Sequence, residues 1–264
     1  MNKSEIKERW ENYRKANSDK PLVRDRELGE VFNLINPRAG DNILEVGTGN
    51  GYLTFPIAKQ VGQRGHITTA DVSTDNLKSV EGNIKDLPID TLLFNDEDLL
   101  SELSDSTFDS VGTIATLHHF DNRSKNTGEN GRRRALQDFH RVLKDGGKLV
   151  IADVASDTIS QRYFDAIDNP QHCYPEGHPY DFFTTERLKE ILEEIGFSNI
   201  SIEIRGVPWE FKSIDEAKQF IHTIHNAKCS EEDSFSVAKE YLGFYESEEG
   251  YELGWELMFV TATK

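Results

Sequence analysis

Two spacings of apolar residues alternate along this chain. Short, nearly continuous apolar runs predict strands at 43–46, 66–70, 90–94, 148–154, 200–204 and 257–261. Elsewhere the apolar residues fall at helical spacing. Leu28, Val31, Phe32 and Ile35 mark a helix over 24–35, and 52–60 and 74–85 read the same way. Ala135, Leu136, Phe139, Val142 and Leu143 line one face of a helix over 134–143, which Lys144-Asp-Gly-Gly147 caps with a left-handed glycine. A helix over 184–195 has Thr184 or Thr185 as its cap. Residues 4–18 predict a polar helix with Trp10 and Tyr13 on about one face. Two more helical patterns, 213–227 and 231–245, lie between the last two strands, and 156–180 loses its periodicity after Asp168.

The run at 43–46 leads into Gly47-Thr-Gly-Asn-Gly51 and then a helix. Glycines let the chain turn sharply and let a ligand approach the backbone, while a helix start presents unpaired N–H groups. A dinucleotide fingerprint needs its third glycine at position 52, which is Tyr52, and no Gly-Lys-Ser/Thr phosphate loop occurs. The next strand ends in Asp71, about 20 residues past the glycines, where a carboxylate can accept both hydrogens of a ribose diol.

Glu45 followed by Gly47, Gly49 and Gly51 resembles motif I of the class I S-adenosylmethionine-dependent methyltransferases. Three further stretches fit in order: Asp71; Phe108-Asp109 leading into an apolar fourth strand over 111–114; and the helix, Leu143-Lys-Asp-Gly-Gly-Lys-Leu149 and strand that end at Val154. The resemblance implies an α/β fold, a doubly wound seven-stranded sheet, mostly parallel with an antiparallel last strand, and helical lid insertions. It implies N-terminal helices over 1–36 covering the cofactor, an S-adenosylmethionine-binding core over 37–155, and an acceptor lid with edge strands over 156–264. An insertion at about 207–250 replaces the short turn of the simplest members.

By the same resemblance, the S-adenosyl-L-methionine contacts are Glu45, Gly47, Thr48, Gly49, Gly51, Asp71, Val72, Thr113, Ala115 and His118. Asn95 or Asp96 meets the adenine amino group, with Glu97 beside it. His119, His178 and Tyr163 are the candidate catalytic residues, a histidine being suited to removing a proton near neutral pH. Adjacent His118 and His119 cannot face the same way, so one packs inward and the other lines the cleft. Tyr163, Phe164, His172, His178 and Tyr180, with Trp209 and Phe211, offer the aromatic walls of an acceptor pocket. His172, Cys173 and His178 match no zinc spacing, so no metal is expected.

Composition narrows the acceptor. A formal net charge of -17 repels phosphate backbones, and Arg132-Arg-Arg134 reads as the solvated start of a helix. No Asn/Asp-Pro-Pro-Tyr signature follows the fourth strand, so nucleic acid is not the expected partner. Two cysteines, no apolar run of membrane-spanning length and no hydrophobic leader predict a cytoplasmic protein away from membranes. The expected function is methyl transfer to a small-molecule acceptor, with O-, N- and C-methylation all open. Cyclisation or other alkyl transfer from the same cofactor, or a non-catalytic cofactor-binding role, are the alternatives; monomer and homodimer both stay open.

Overall fold

The computed structural model describes residues 3–20, 22–94, 100–121, 128–172 and 180–264, with backbone alone for 3–7, 9 and 10. Trp10's side chain, Asn95, Asp96, Glu97, Cys173 and His178 therefore lie outside what is described. In chain order come α1 (Lys3–Asp19), α2 (Asp25–Ile35), β1 (Asn42–Val46), α3 (Thr54–Val61), β2 (His66–Asp71), α4 (Thr74–Glu81) and β3 (Ile89–Leu93). Then follow β4 (Phe108–Ile114), a 3-10 turn (Leu117–Phe120), α5 (Asn130–Val142), β5 (Leu143–Asp153), α6 (Ile159–Ile167), α7 (Thr185–Ile195) and β6 (Ser198–Gly206). The remainder is β7 (Trp209–Phe211), α8 (Ile214–Ile224), α9 (Glu231–Leu242), β8 (Phe244–Ser247), β9 (Gly250–Leu253) and β10 (Glu256–Thr263).

These elements form two units. The first, from 28–153, 180–204 and 258–264, holds a seven-stranded sheet in the order β3-β2-β1-β4-β5-β10-β6. β1 runs parallel to both neighbours, Leu44 standing opposite Thr68 on β2 and Val111 on β4. β5 continues the parallel set beside β4, and β10 returns antiparallel with Val260 opposite Ile151. Ile43, Leu44, Ile67, Val111, Val150 and Ile151 have no accessible surface. Strands covered on both faces read as continuous apolar runs, which is why the sequence shows them so clearly. The parallel register sets the carboxyl ends of β1, β2, β4 and β5 along one edge, where ligands bind in doubly wound sheets.

Two boundaries differ from expectation. Helix α5 starts at Asn130 because Asp121 caps it from a distance, accepting the N–H groups of Gly131 at 2.8 Å and Arg132 at 2.9 Å. Arg132 is accordingly not solvated. It is buried, its Nε donates to Asp121 at 3.0 Å, and its guanidinium lies 4.0 Å from the centre of the Phe183 ring. The stretch after α5 is not a free cap either; it belongs to β5, whose register slips between the pairs Phe108–Leu143 and Ser110–Lys148. The left-handed residue there is Gly146, which donates its N–H to the Lys264 carbonyl.

The second unit comprises the described residues of 1–27, 154–179 and 205–257. It contains α1, α6, α8 and α9 and a three-stranded antiparallel sheet in the order β7-β9-β8. Ser213 and Ser230 cap α8 and α9 by accepting backbone N–H groups three residues on. None of the three short strands was expected. Each is three or four residues long, below the length at which alternation becomes legible.

Candidate active site

The loop after β1 is shaped from below and from the side. Beneath it, Glu45 is buried and accepts hydrogen bonds from the hydroxyls of Thr54 and Thr69, the latter at 2.7 Å. Thr69 in turn meets the Thr48 hydroxyl at 2.7 Å, so one carboxyl ties the loop, β2 and α3 together. Burial pushes the Glu45 carboxyl up to about 7. Beside the loop, a Cβ at Gly47 would lie 2.1 Å from Thr116 Oγ1, and its φ is +94°. Only glycine lets the loops after β1 and β4 come this close. Gly49, at φ +51°, has nothing within 4 Å of where its Cβ would be, which leaves the backbone open to a ligand.

Asp71 ends β2 where the sequence placed it, and it is nearly buried. Its oxygens accept the N–H of Gly49 at 3.1 Å, the N–H of Ser73 at 2.8 Å and the side-chain amide of Asn76 at 3.0 Å. Asn76 was not foreseen, and its offset of five residues from Asp71, within the first turn of α4, is the signal that would have found it. Three donors leave about one of four lone-pair positions on the carboxylate for a further hydroxyl. Val72, next in sequence, is half exposed.

The loop after β4 carries the second cluster. Thr113 is buried with a hydroxyl that makes no hydrogen bond among the described residues, and Ala115 holds a positive φ of 49°. His118 Nδ1 lies 2.7 Å from Oδ1 of Asp153, the last residue of β5, and Asp153 Oδ2 accepts the His118 backbone N–H at 3.1 Å. Both side chains are buried. The His119 ring centre is 4.0 Å from that of His118, and Tyr180 meets His119 edge-on at 4.5 Å. Asp153 was missed because its partner sits 35 residues away. The orienting carboxylate thus belongs to His118, the expected cofactor contact, and not to His119.

The expected acceptor walls divide. Tyr180 stands beside the histidines, whereas Tyr163, Trp209 and Phe211 are core residues of the second unit, Tyr163 with no accessible surface at all. A buried ring is packing, so Tyr163 is no exposed catalytic group in this structure. His172 anchors a turn, its carbonyl accepting the Lys228 N–H at 2.7 Å. Among the described residues, no three metal-ligating side chains come together, and no helix is long and apolar enough to cross a membrane.

A parallel sheet with this strand order, an antiparallel penultimate strand, a glycine loop after β1 and a carboxylate closing β2 define the class I S-adenosylmethionine-dependent methyltransferases. The family model of a methyltransferase domain matches residues 21–202, well over half the chain, and the protein belongs to that family. It is 29% identical over 197 residues to an O-methyltransferase of Pyrenophora dematioidea, covering 71% of this chain and 66% of that protein. It is 26% identical over 190 residues to a demethylmenaquinone methyltransferase of Lactobacillus johnsonii, covering 66% of this chain and 74% of that one. A SAM dependent methyltransferase from Archaeoglobus fulgidus shares the fold with a TM-score of 0.59, 18% identity, and coverage of 94% and 97% of the two chains.

Proposed function

We propose that the protein transfers a methyl group from S-adenosylmethionine to a small molecule whose accepting atom must first lose a proton. The residues present suit the cofactor. Gly49 leaves its backbone open, Asp71 keeps an acceptor position for a ribose hydroxyl, and the Thr113 hydroxyl has no protein partner among the described residues. These three, with Gly47, Gly51, Thr48, Ala115 and the 95–97 segment, would hold it, while Glu45 fixes the loop from behind. When bound, it supplies an electrophilic methyl on a sulfonium sulfur, which needs alignment and exclusion of water more than activation.

One observation carries the reading, the buried 2.7 Å contact between His118 and Asp153. With Asp153 accepting the Nδ1 proton, the lone pair resides on Nε2, and Nε2 is the nitrogen that takes the acceptor's proton. Asp153 also stabilises the imidazolium that results. A carboxylate acceptor would need no such group, so a hydroxyl or an acidified carbon fits better. The named relatives, an O-methyltransferase and a demethylmenaquinone methyltransferase, support a small-molecule acceptor. Acceptor recognition belongs to the second unit, and nucleic acid is not the substrate.

Methyl-labelled S-adenosylmethionine, offered with hydroxylated aromatic compounds, tests this. Label should enter the acceptor, and His118→Gln and Asp153→Asn should each lower turnover by about 10²-fold or more while binding S-adenosylhomocysteine within a few-fold of the parent. Loss of that binding with turnover per bound cofactor intact would make His118 a cofactor contact and remove the base.

A further inference from the structure

Asp71 divides its hydrogen bonds unevenly between its two oxygens. Oδ1 accepts one, from the Ser73 N–H at 2.8 Å. Oδ2 accepts two, from the Gly49 N–H at 3.1 Å and the Asn76 side-chain amide at 3.0 Å. A carboxylate oxygen has two lone pairs, so Oδ2 is full and Oδ1 keeps one position. Donors on both oxygens also stop the carboxylate from turning about its Cβ–Cγ bond.

Two of these donors are backbone N–H groups, which almost any sequence would supply. Asn76 is the side-chain choice among them. It is 4% exposed, beside Leu77 and Val80 on α4, which are buried as well. α4 packs directly on the glycine loop, since a Cβ at Gly51 would lie 2.9 Å from Val80 Cγ2. An apolar side chain could fill such a place without the cost of taking an amide out of water. The amide is there with a partner. Ser73 steadies it, its hydroxyl accepting the Asn76 N–H at 3.3 Å. Asp71, Ser73 and Asn76 are thus tied to one another by three hydrogen bonds within six residues of chain.

A ribose presents two adjacent hydroxyls, and a carboxylate with both oxygens open could take one on each. Asp71 has room on Oδ1 alone. We infer that Asn76 sets the specificity of the ribose site: by filling Oδ2 it holds Asp71 to a single hydroxyl of the cofactor, where the sequence led us to expect two. Asn76 is a positioning residue in this role, acting through Asp71. The inference rests on the reading of the cradle as the S-adenosylmethionine site.

Calorimetric titration of the full chain with S-adenosylhomocysteine and with its 2′-deoxy and 3′-deoxy forms tests it. In the parent, one deoxy form should bind at least about tenfold more weakly, the worth of a hydrogen bond to a charged group, and the other within about threefold. Asn76→Leu is close in shape and lacks the amide, so it opens Oδ2. In that variant removal of the second hydroxyl should also weaken binding, by about tenfold relative to S-adenosylhomocysteine on the same protein. Asn76→Ala takes its place if the leucine variant does not fold. A purely structural role for Asn76 would weaken all three ligands alike and leave their ratios unchanged. That outcome would overturn the inference, as would comparable losses from both deoxy forms in the parent or a loss from neither. Failure of the parent to bind S-adenosylhomocysteine at all would overturn the cofactor reading itself, and the inference with it.

Discussion

The two units treat buried charge differently. In the first unit, Glu45, Asp71, Asp121 and Asp153 each accept two or three hydrogen bonds from the chain itself. In the second unit, Glu27 pairs with Arg24 and faces the indoles of Trp209 and Trp255, yet burial outweighs these donors and raises its carboxyl. A carboxylate surrounded by donors fixes loops in place before anything binds. One closed in by rings answers to a single cation, and burial decides the direction of its shift. The first unit spends its buried carboxylates on holding backbone, the second on one ion pair within an aromatic core.

The largest test of that contrast sets Asp121→Asn beside Glu27→Gln. Asp121 pairs with buried Arg132 and also caps α5, so its amide should cost about 3–5 kcal/mol. Arg24 keeps Tyr13 and Asn17 when Glu27 is changed, so that loss should be about 1–3 kcal/mol. Denaturant midpoints decide, and equal costs would erase the distinction.

A second test uses Glu45, whose burial lifts its carboxyl from 4.5 to about 7. The native chain then holds a proton that the unfolded chain gives up. Stability from this group is complete below pH 4.5 and is lost as pH rises through 7. The loss should amount to about 3 kcal/mol in the parent and vanish in Glu45→Gln, which still offers both threonines an acceptor. Melting temperatures measured from pH 4.5 to 8 give the answer; parallel curves for the two proteins would show that Glu45 does not titrate there.

The smallest test separates two glycines within the cradle. Gly47→Ala meets Thr116 as well as an unfavourable φ and should cost about 2–3 kcal/mol, whereas Gly49→Ala meets only the φ and should cost about 1 kcal/mol. Gly49→Ala should nonetheless weaken S-adenosylhomocysteine at least as much as it weakens the fold. Unchanged affinity would mean that the space beside Gly49 is not where the cofactor lies.

What the sequence showed and what it hid follow one rule, the distance along the chain over which an interaction acts. The buried parallel strands, the glycine loop, Asp71 and a threonine cap at 184 or 185 depend on neighbours within a few residues, and all could be read directly. Asp121 under α5, Asp153 behind His118 and Asp168 beside His225 act across 10, 35 and 57 residues, and no local pattern announces them. Tyr163 shows the converse error. Aromatic composition suggested a pocket wall, but composition cannot say whether a ring faces a cleft or a core.

The place of β10 has a consequence for how this chain is made. Strand order puts it between β5 and β6, yet it is synthesised after both. A nascent chain leaving the ribosome exposes two unpaired strand edges until residues 256–263 emerge. Lys264, whose ammonium then reaches the carbonyls of Arg141 at 3.1 Å and Leu143 at 2.7 Å, closes the end of α5 in the same step. Open edges invite pairing with other chains, so crowded or slowed translation should put this protein most at risk just before β10 appears.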